Sequence, residues 1–226
     1  MKVSAVVIAY NEEEYIEECL ISLLNQTEKA DEIIVVDNNS TDRTVEIVQR
    51  FSGVRIVKEE KQGMIYARNK GFDSAQHELI VRCDSDTRAS KDWIKNIKAH
   101  FEKGNVHALS GPIAFYEFPK MGIQKIFTNI YNDGSLLVYQ HRILDGPNMS
   151  LTKEIWEKVR DKVCLIDDDV HEDADLAIHI KRAGGKLKYV KDVEVVASGR
   201  RLIHNPFSIL LWYPWKHIKT RFRHLI

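Results

Sequence analysis

The chain has 226 residues, with 33 basic and 33 acidic side chains and therefore no net charge at pH 7. That balance excludes a global electrostatic hold on nucleic acid, and no nucleic-acid partner is expected. With 44% hydrophobic and 29% charged residues, the composition suits one large soluble α/β domain and is short for two. Cys19, Cys83 and Cys164 are scattered without ligand-like spacing, which argues against a disulfide framework and for a reducing compartment. Met1-Lys2 runs directly into Val3–Ile8, too short for a signal peptide. No stretch approaches the roughly 20 apolar residues of a membrane span, so a cytoplasmic protein is expected.

Val3–Ala9 reads as a buried strand, followed by a helix from about Glu13 to Asn25 with Tyr15, Ile16, Cys19, Leu20, Leu23 and Leu24 on one face. Ile33–Val36 is a second strand. Thr41 or Asp42 then caps a helix carrying Val45, Ile47, Val48 and Phe51. A strand at Val54–Val57, a helix at Met64–Ser74, a strand at Leu79–Cys83, a helix at about Lys91–Lys103 and a strand at Val106–Ile113 complete the regular half. Strands separated by helices of this length imply right-handed crossovers and a mostly parallel sheet. Beyond it, a helical stretch is expected at about Met121–Tyr139, a loop through Asp145-Gly146-Pro147-Asn148, and a helix near Thr152–Val159. The acidic loop Asp167-Asp168-Asp169 leads to a helix at about Glu172–Ala183, stopped by Gly184-Gly185. Strands at Leu187–Val190 and Val193–Ala197 follow.

In such sheets the functional loops lie at the carboxyl ends of the strands. That rule collects Tyr10-Asn11, Asp37-Asn38-Asn39 and Asp84-Ser85-Asp86 along one edge. Two carboxylates one residue apart at a strand end offer hard oxygen ligands to a divalent cation, although a plain turn has the same composition. Asn-Asn-Ser-Thr-Asp after Asp37 is also rich in cap formers. His171-Glu172-Asp173 opens a helix and offers a candidate general base, with an ordinary capping carboxylate as the alternative. Neighbours on a helix diverge by about 100°, so Glu172 and Asp173 cannot both address one acceptor. A carboxylate at a helix start is expected to be held ionised by the macrodipole. Together the two motifs suggest metal-assisted displacement of a phosphorylated leaving group.

Ala9-Tyr10-Asn11-Glu12-Glu13, Val35-Val36-Asp37-Asn38-Asn39-Ser40-Thr41-Asp42, Gly63 with Ala67-Arg68-Asn69, Asp84-Ser85-Asp86 and Glu172-Asp173-Ala174-Asp175-Leu176 occur in that order. Over roughly residues 3 to 200 this series resembles the family 2 glycosyltransferases of the GT-A fold. The resemblance implies an α/β, Rossmann-like, mostly parallel sheet flanked by helices. It also implies an inverting transferase that takes a sugar from a UDP- or GDP-sugar with Mn²⁺ or Mg²⁺. Ala9, Tyr10, Asn11, Asp37, Ser85 and the acids around it would form the donor site. Asp37 would contact the base, Asp84 the ribose or the metal through water, and Asp86 the metal. Where the family often has a second acid after Asp37, this chain has Asn38. Asp173 would be the base, with Glu172 and Asn148 on the acceptor side. Arg68 could pair with phosphate or hold Asp84 or Asp86, or form a surface ion pair. Arg200 and Arg201 could meet the diphosphate. His204 could be a third metal ligand or merely structural. The expected organisation is a transferase domain over 1–203, with a nucleotide half to about 115 and an acceptor half from about 116, and a segment at 204–226.

That last segment is a separate signal. No Asp or Glu follows Glu194, while Phe207, Leu211, Trp215, Ile218, Phe222 and Leu225 recur at helical spacing among Lys216, Lys219, Arg221 and Arg223. Pro214 is expected to kink it. A basic amphipathic helix with tryptophans suits a membrane surface, which would make the protein peripheral on the inner face of the cell membrane. Packing on its own domain or on a second subunit is the alternative. The acceptor is expected to be a saccharide or lipid-linked saccharide hydroxyl. The rivals are a polyprenyl-phosphate sugar synthase of the same fold, which a base such as Asp173 disfavours, and a silent scaffold at a membrane.

Overall fold

The computed structural model describes residues 1–118, 133–134, 136, 138–166, 170–205 and 213–224. Seven strands form one sheet in the order β3-β2-β1-β4-β8-β6-β9, where β1 is Val3–Ala9, β2 Glu32–Asp37, β3 Val54–Lys58, β4 Leu79–Asp84, β6 Ala108–Ser110, β8 Met149–Thr152 and β9 Leu187–Tyr189. The pairs β1–β2, β1–β4, β2–β3 and β6–β9 are parallel, and β8 runs antiparallel between β4 and β6. A second sheet has the order β5-β10-β7, with β5 at Arg88–Ala89, β7 at Ile113–Phe115 and β10 at Val195–Ala197.

Every residue of β1 is buried, as a parallel strand covered on both faces must be. Its side chains alternate between two cores. Val3, Ala5, Val7 and Ala9 meet Ile16, Cys19, Leu20 and Leu23 of α1 (Ile16–Leu24) and Trp93, Ile94, Ile97 and Phe101 of α4 (Trp93–Glu102). Val6 and Ile8 face Ala67 and Phe72 of α3 (Met64–Ser74), Trp156 of α5 (Lys153–Val159) and Leu176 and Ile180 of α6 (Glu172–Arg182). The short α2 (Thr44–Gln49) adds Ile47 and Val48 to the first core. Phe72 meets Trp156 edge-on at 5.2 Å, a geometry worth about 0.5–1.5 kcal/mol beyond buried area.

Most expected elements are present, with instructive departures. The expected strand Val106–Ile113 divides into β6 and β7, in different sheets. Gly111 and Pro112 explain the break: a Cβ at Gly111 would lie 1.8 Å from the Val193 carbonyl, so the chain turns there against another backbone. The run Met149–Thr152, given no strand between the loop ending at Asn148 and the helix expected near Thr152, is a fully paired central strand, and Thr152 caps α5 by accepting from Ile155 N at 3.2 Å. Most of the expected helix at 121–139 lies outside the described residues, as do Asp167–Asp169.

The tail forms α7 (Arg200–His204) and α8 (Tyr213–Arg223). Pro214 occupies the start of α8, where its missing N–H costs nothing, so it does not kink the helix. α8 lies on α6 through polar groups: Thr220 is wholly buried and accepts from His171 N at 2.7 Å. His217 stacks on His171 at 4.2 Å and meets the Tyr139 hydroxyl at 2.8 Å. Burial pushes His171 down to about 4 and His217 down to about 3, so both rings are neutral where they touch. Trp215, Ile218 and Phe222 point outward, 54%, 44% and 64% exposed. Phe207, Leu211 and Leu225 lie outside the described residues. Among the described residues no helix is long and apolar enough to cross a membrane.

Candidate active site

The strand-end loops are tied to one another. Asn11 sits at a φ of 53°, its side-chain oxygen accepts from Thr41 N at 2.8 Å, and its own N–H donates to Ser40 Oγ at 3.1 Å. Ala9 is buried at the end of β1 and Tyr10 is half exposed beside it. Asp37 is nearly buried and accepts from Ser40 N at 3.0 Å, so it shapes this turn as well as facing the edge. Asn38 donates to the carbonyls of Glu59 (3.0 Å) and Lys61 (2.8 Å) and accepts from Gly63 N (2.9 Å). A neutral amide is what those three backbone groups need, and a carboxylate there could not donate.

β4 then delivers Asp84, buried Ser85 and Asp86. The Asp84 and Asp86 side chains are 26% and 16% exposed. Asp86 Oδ2 lies 3.5 Å from Arg200 of α7, which also pairs with the Glu12 carboxylate and stacks its guanidinium over Tyr15 at 4.6 Å. Two partly exposed hard oxygens beside a cation fit a divalent metal carrying a phosphate group. Of Arg201 only the backbone is described. His204 ends α7 exposed, and among the described residues it does not join Asp84 and Asp86 in a ligand group within 4.8 Å. The trio that does converge, Asp175, His179 and His224, is a clasp. Asp175 accepts from Cys164 N (2.9 Å) and pairs with His224 Nε2 (2.8 Å). Arg182 donates to His224 Nδ1 at 3.1 Å, which fixes the proton on Nε2.

Arg82, which the sequence reading passed over, links the strand-end acids to the helix-start acids. Its guanidinium is 1% exposed and meets Asp84 Oδ1 at 3.0 Å, Glu172 Oε1 at 3.3 Å and Asp173 Oδ1 at 3.5 Å. The signal was visible, since Arg82 is the single charge within the apolar run Leu79–Cys83. Gly146 closes on it: a Cβ there would lie 2.8 Å from Arg82 Nη2. Gly146 N also donates to Asp173 Oδ2 at 2.8 Å.

Three expectations change here. Burial and the adjacent Glu172 charge push the Asp173 carboxyl well above the ordinary range, so the helix dipole does not dominate its ionisation. Glu172 goes the other way: burial opposes its charge, but Arg82 and then Arg68 outweigh that and hold it below the ordinary value. Arg68 does not face the cleft. It is wholly buried and donates to the Glu172 carbonyl (2.9 Å) and to Asn69 (2.9 Å), tying α3 to the start of α6. Asn148 does not face an acceptor either. It accepts from Trp93 Nε1 (2.9 Å) and donates to the carbonyls of Pro112 (3.1 Å) and Val193 (2.8 Å), all inside the core.

The chain is similar to known proteins in sequence and shape. AglE of Haloferax volcanii, described as a glycosyltransferase, is 30% identical over 70% of this chain and 54% of its own. This chain spans no more than about half the length of the first curated relatives it matches. The mannosyltransferase PcManGT of Pyrobaculum calidifontis, solved with GDP-Man and Mn²⁺, superposes with a TM-score of 0.77 at 24% identity, over 98% of this chain and 64% of that one. Staphylococcus aureus TarS, solved with UDP-GlcNAc, gives 0.68 at 20% identity, over 88% and 59%. At such identities the likeness shows the fold, which is that of the GT-A enzymes. The family model "Glycosyl transferase family 2" matches residues 4–132, more than half the sequence, and the chain belongs to that family.

Proposed function

We propose that the protein is an inverting, metal-assisted glycosyltransferase that moves a sugar from a UDP- or GDP-sugar to the hydroxyl of a saccharide or lipid-linked saccharide. The observation that carries the reading is the Arg82 junction, which brings Asp84 and Asp173 to one buried guanidinium although they lie on β4 and α6. Asp37 addresses the base, Asp84 and Asp86 the ribose and the cation, and Arg200 the diphosphate. Mg²⁺ or Mn²⁺ held by Asp84 and Asp86 would neutralise the charge developing on the diphosphate.

Asp173 takes the proton from the acceptor hydroxyl. The acceptor oxygen then bonds to the anomeric carbon as the bond from that carbon to the diphosphate oxygen breaks, and the configuration inverts. A carboxyl with a raised proton affinity is the stronger base once ionised. Glu172 holds Arg82 through Oε1 beside Asp173, while its buried Oε2 has no hydrogen-bond partner among the described residues. GDP-Man with Mn²⁺ in PcManGT and UDP-GlcNAc in TarS support this donor class. The outward face of α8, apolar and basic together, supports docking on an anionic membrane surface, where a lipid-linked acceptor would lie.

A thermal-shift screen of UDP- and GDP-sugars with and without Mn²⁺ tests the donor reading. A nucleotide at a hundred times its dissociation constant adds about 2.7 kcal/mol. For a domain of this size that raises the melting temperature by roughly 5–11 °C. No shift with any nucleotide sugar in either condition would refute it.

A further inference from the structure

Arg82 is an unusual occupant of its strand. In the register of the sheet it lies between Val6 of β1 and Met149 of β8, where an unpaired charge would be strongly destabilising. Its partners come from both sides of the cleft: Asp84 from the donor edge, Glu172 and Asp173 from α6. Three carboxylates therefore share one guanidinium fork, and the nearby Arg68 is committed to the Glu172 carbonyl and Asn69. Asp173 is also faced by Glu172 on its own helix and by Asp145 and the Gly146 N–H from the turn before β8. With so few positive charges, what one carboxylate gives up the others gain.

We propose that Arg82 is a positioning residue that couples the two sides of the site, so that occupation of the donor acids governs the ionisation of the base. An Asp84 carboxylate engaged by a cation and diphosphate competes less for the fork. The guanidinium is then left to Glu172 and Asp173, and its charge favours the ionised base. With the donor site empty the fork is shared among three carboxylates and Asp173 holds its proton more tightly, which discourages activation of a hydroxyl with no sugar to receive. This coupling rests on the donor reading above.

The test is a carboxyl-carbon NMR titration of the full chain labelled at aspartate, with the Asp173 signal assigned by its loss in Asp173→Asn. Titrations are run alone and with Mg²⁺ plus GDP or UDP, and calorimetry measures nucleotide binding independently. The Asp173 midpoint is expected to fall when nucleotide and Mg²⁺ bind. In Arg82→Lys, whose single ammonium cannot span three carboxylates, the fall should shrink or vanish. Gly146→Ala displaces the fork without changing any charge and should blunt the response in the same way. It also serves if the lysine variant fails to fold. A midpoint unmoved by bound nucleotide overturns the coupling and leaves the donor reading standing. So does a full response in whichever variant folds. If calorimetry detects neither nucleotide with Mg²⁺, the donor reading falls and this proposal with it.

Discussion

Replacing Asn148 with alanine separates a scaffold role from a substrate role. The side chain has no exposed surface and makes three hydrogen bonds, one from the Trp93 indole and two to the carbonyls of Pro112 and Val193. Those contacts join α4, the link between β6 and β7, and the approach to β10. At about 1 kcal/mol for each lost bond, the substitution costs about 3 kcal/mol, and unpaired buried groups add to that. A chain of this size loses roughly 2–4 °C of melting temperature per kcal/mol, so a drop of roughly 6–12 °C is expected. Circular dichroism melts measure it, alongside acceptor KM at a temperature where both proteins are folded. A drop below about 2 °C together with a raised acceptor KM would refute the scaffold assignment and return Asn148 to the acceptor site.

Asp86→Asn should keep its melting temperature and lose Mn²⁺-dependent nucleotide binding by calorimetry; unchanged binding would exclude Asp86 from the cation site. Asp173→Asn should bind nucleotide normally and transfer sugar about 10² to 10⁴ times more slowly, and a collapse of donor affinity would place the residue on the nucleotide instead. Its pH dependence has a definite sign. The folded protein raises the Asp173 carboxyl above its unfolded value, so the wild type has its full contribution at low pH and loses it as pH rises through the folded value. The asparagine variant cannot ionise, and its melting temperature relative to wild type should climb across that window; a flat difference would refute the shift. Trp215→Ala and Phe222→Ala, both at exposed positions, should leave the melt within about 0.5 kcal/mol of wild type. They should also weaken salt-sensitive binding to anionic vesicles, whereas a large loss of stability would mean that this face packs on protein.

The parallel half of the fold was legible because its strands are continuous apolar runs and its helices carry clear stripes, so that Val3–Ala9 and Met64–Ser74 were read to the residue. β8 was not, because Met149-Ser150-Leu151-Thr152 is short and leads straight into a helix cap, and periodicity over four residues cannot arbitrate. At the site, order along the chain brought Asp37, Asp84 and Asp86 to the ends of β2 and β4 and Asp173 to the start of α6. It could not show which neighbouring polar groups are spent on backbone. Asn148 and Arg68 have suitable chemistry for a substrate and are consumed internally. Arg82 drew no attention because a lone charge in a strand acquires meaning only when Glu172 and Asp173, some ninety residues away, are brought to it.

The two-sided construction of α8 separates what the tail presents to its surroundings from what holds it to the domain. Its inner face is latched by hydrogen bonds at His217 and Thr220, and by His224 just past its end, while its larger apolar side chains lie on the outside. Substitutions on the outer face can change what that face presents at little cost to the latch. Load applied to the helix, by contrast, is delivered to the peptide N–H of His171, the residue immediately before Glu172. The tail is thus a lever whose short arm ends two residues before Asp173.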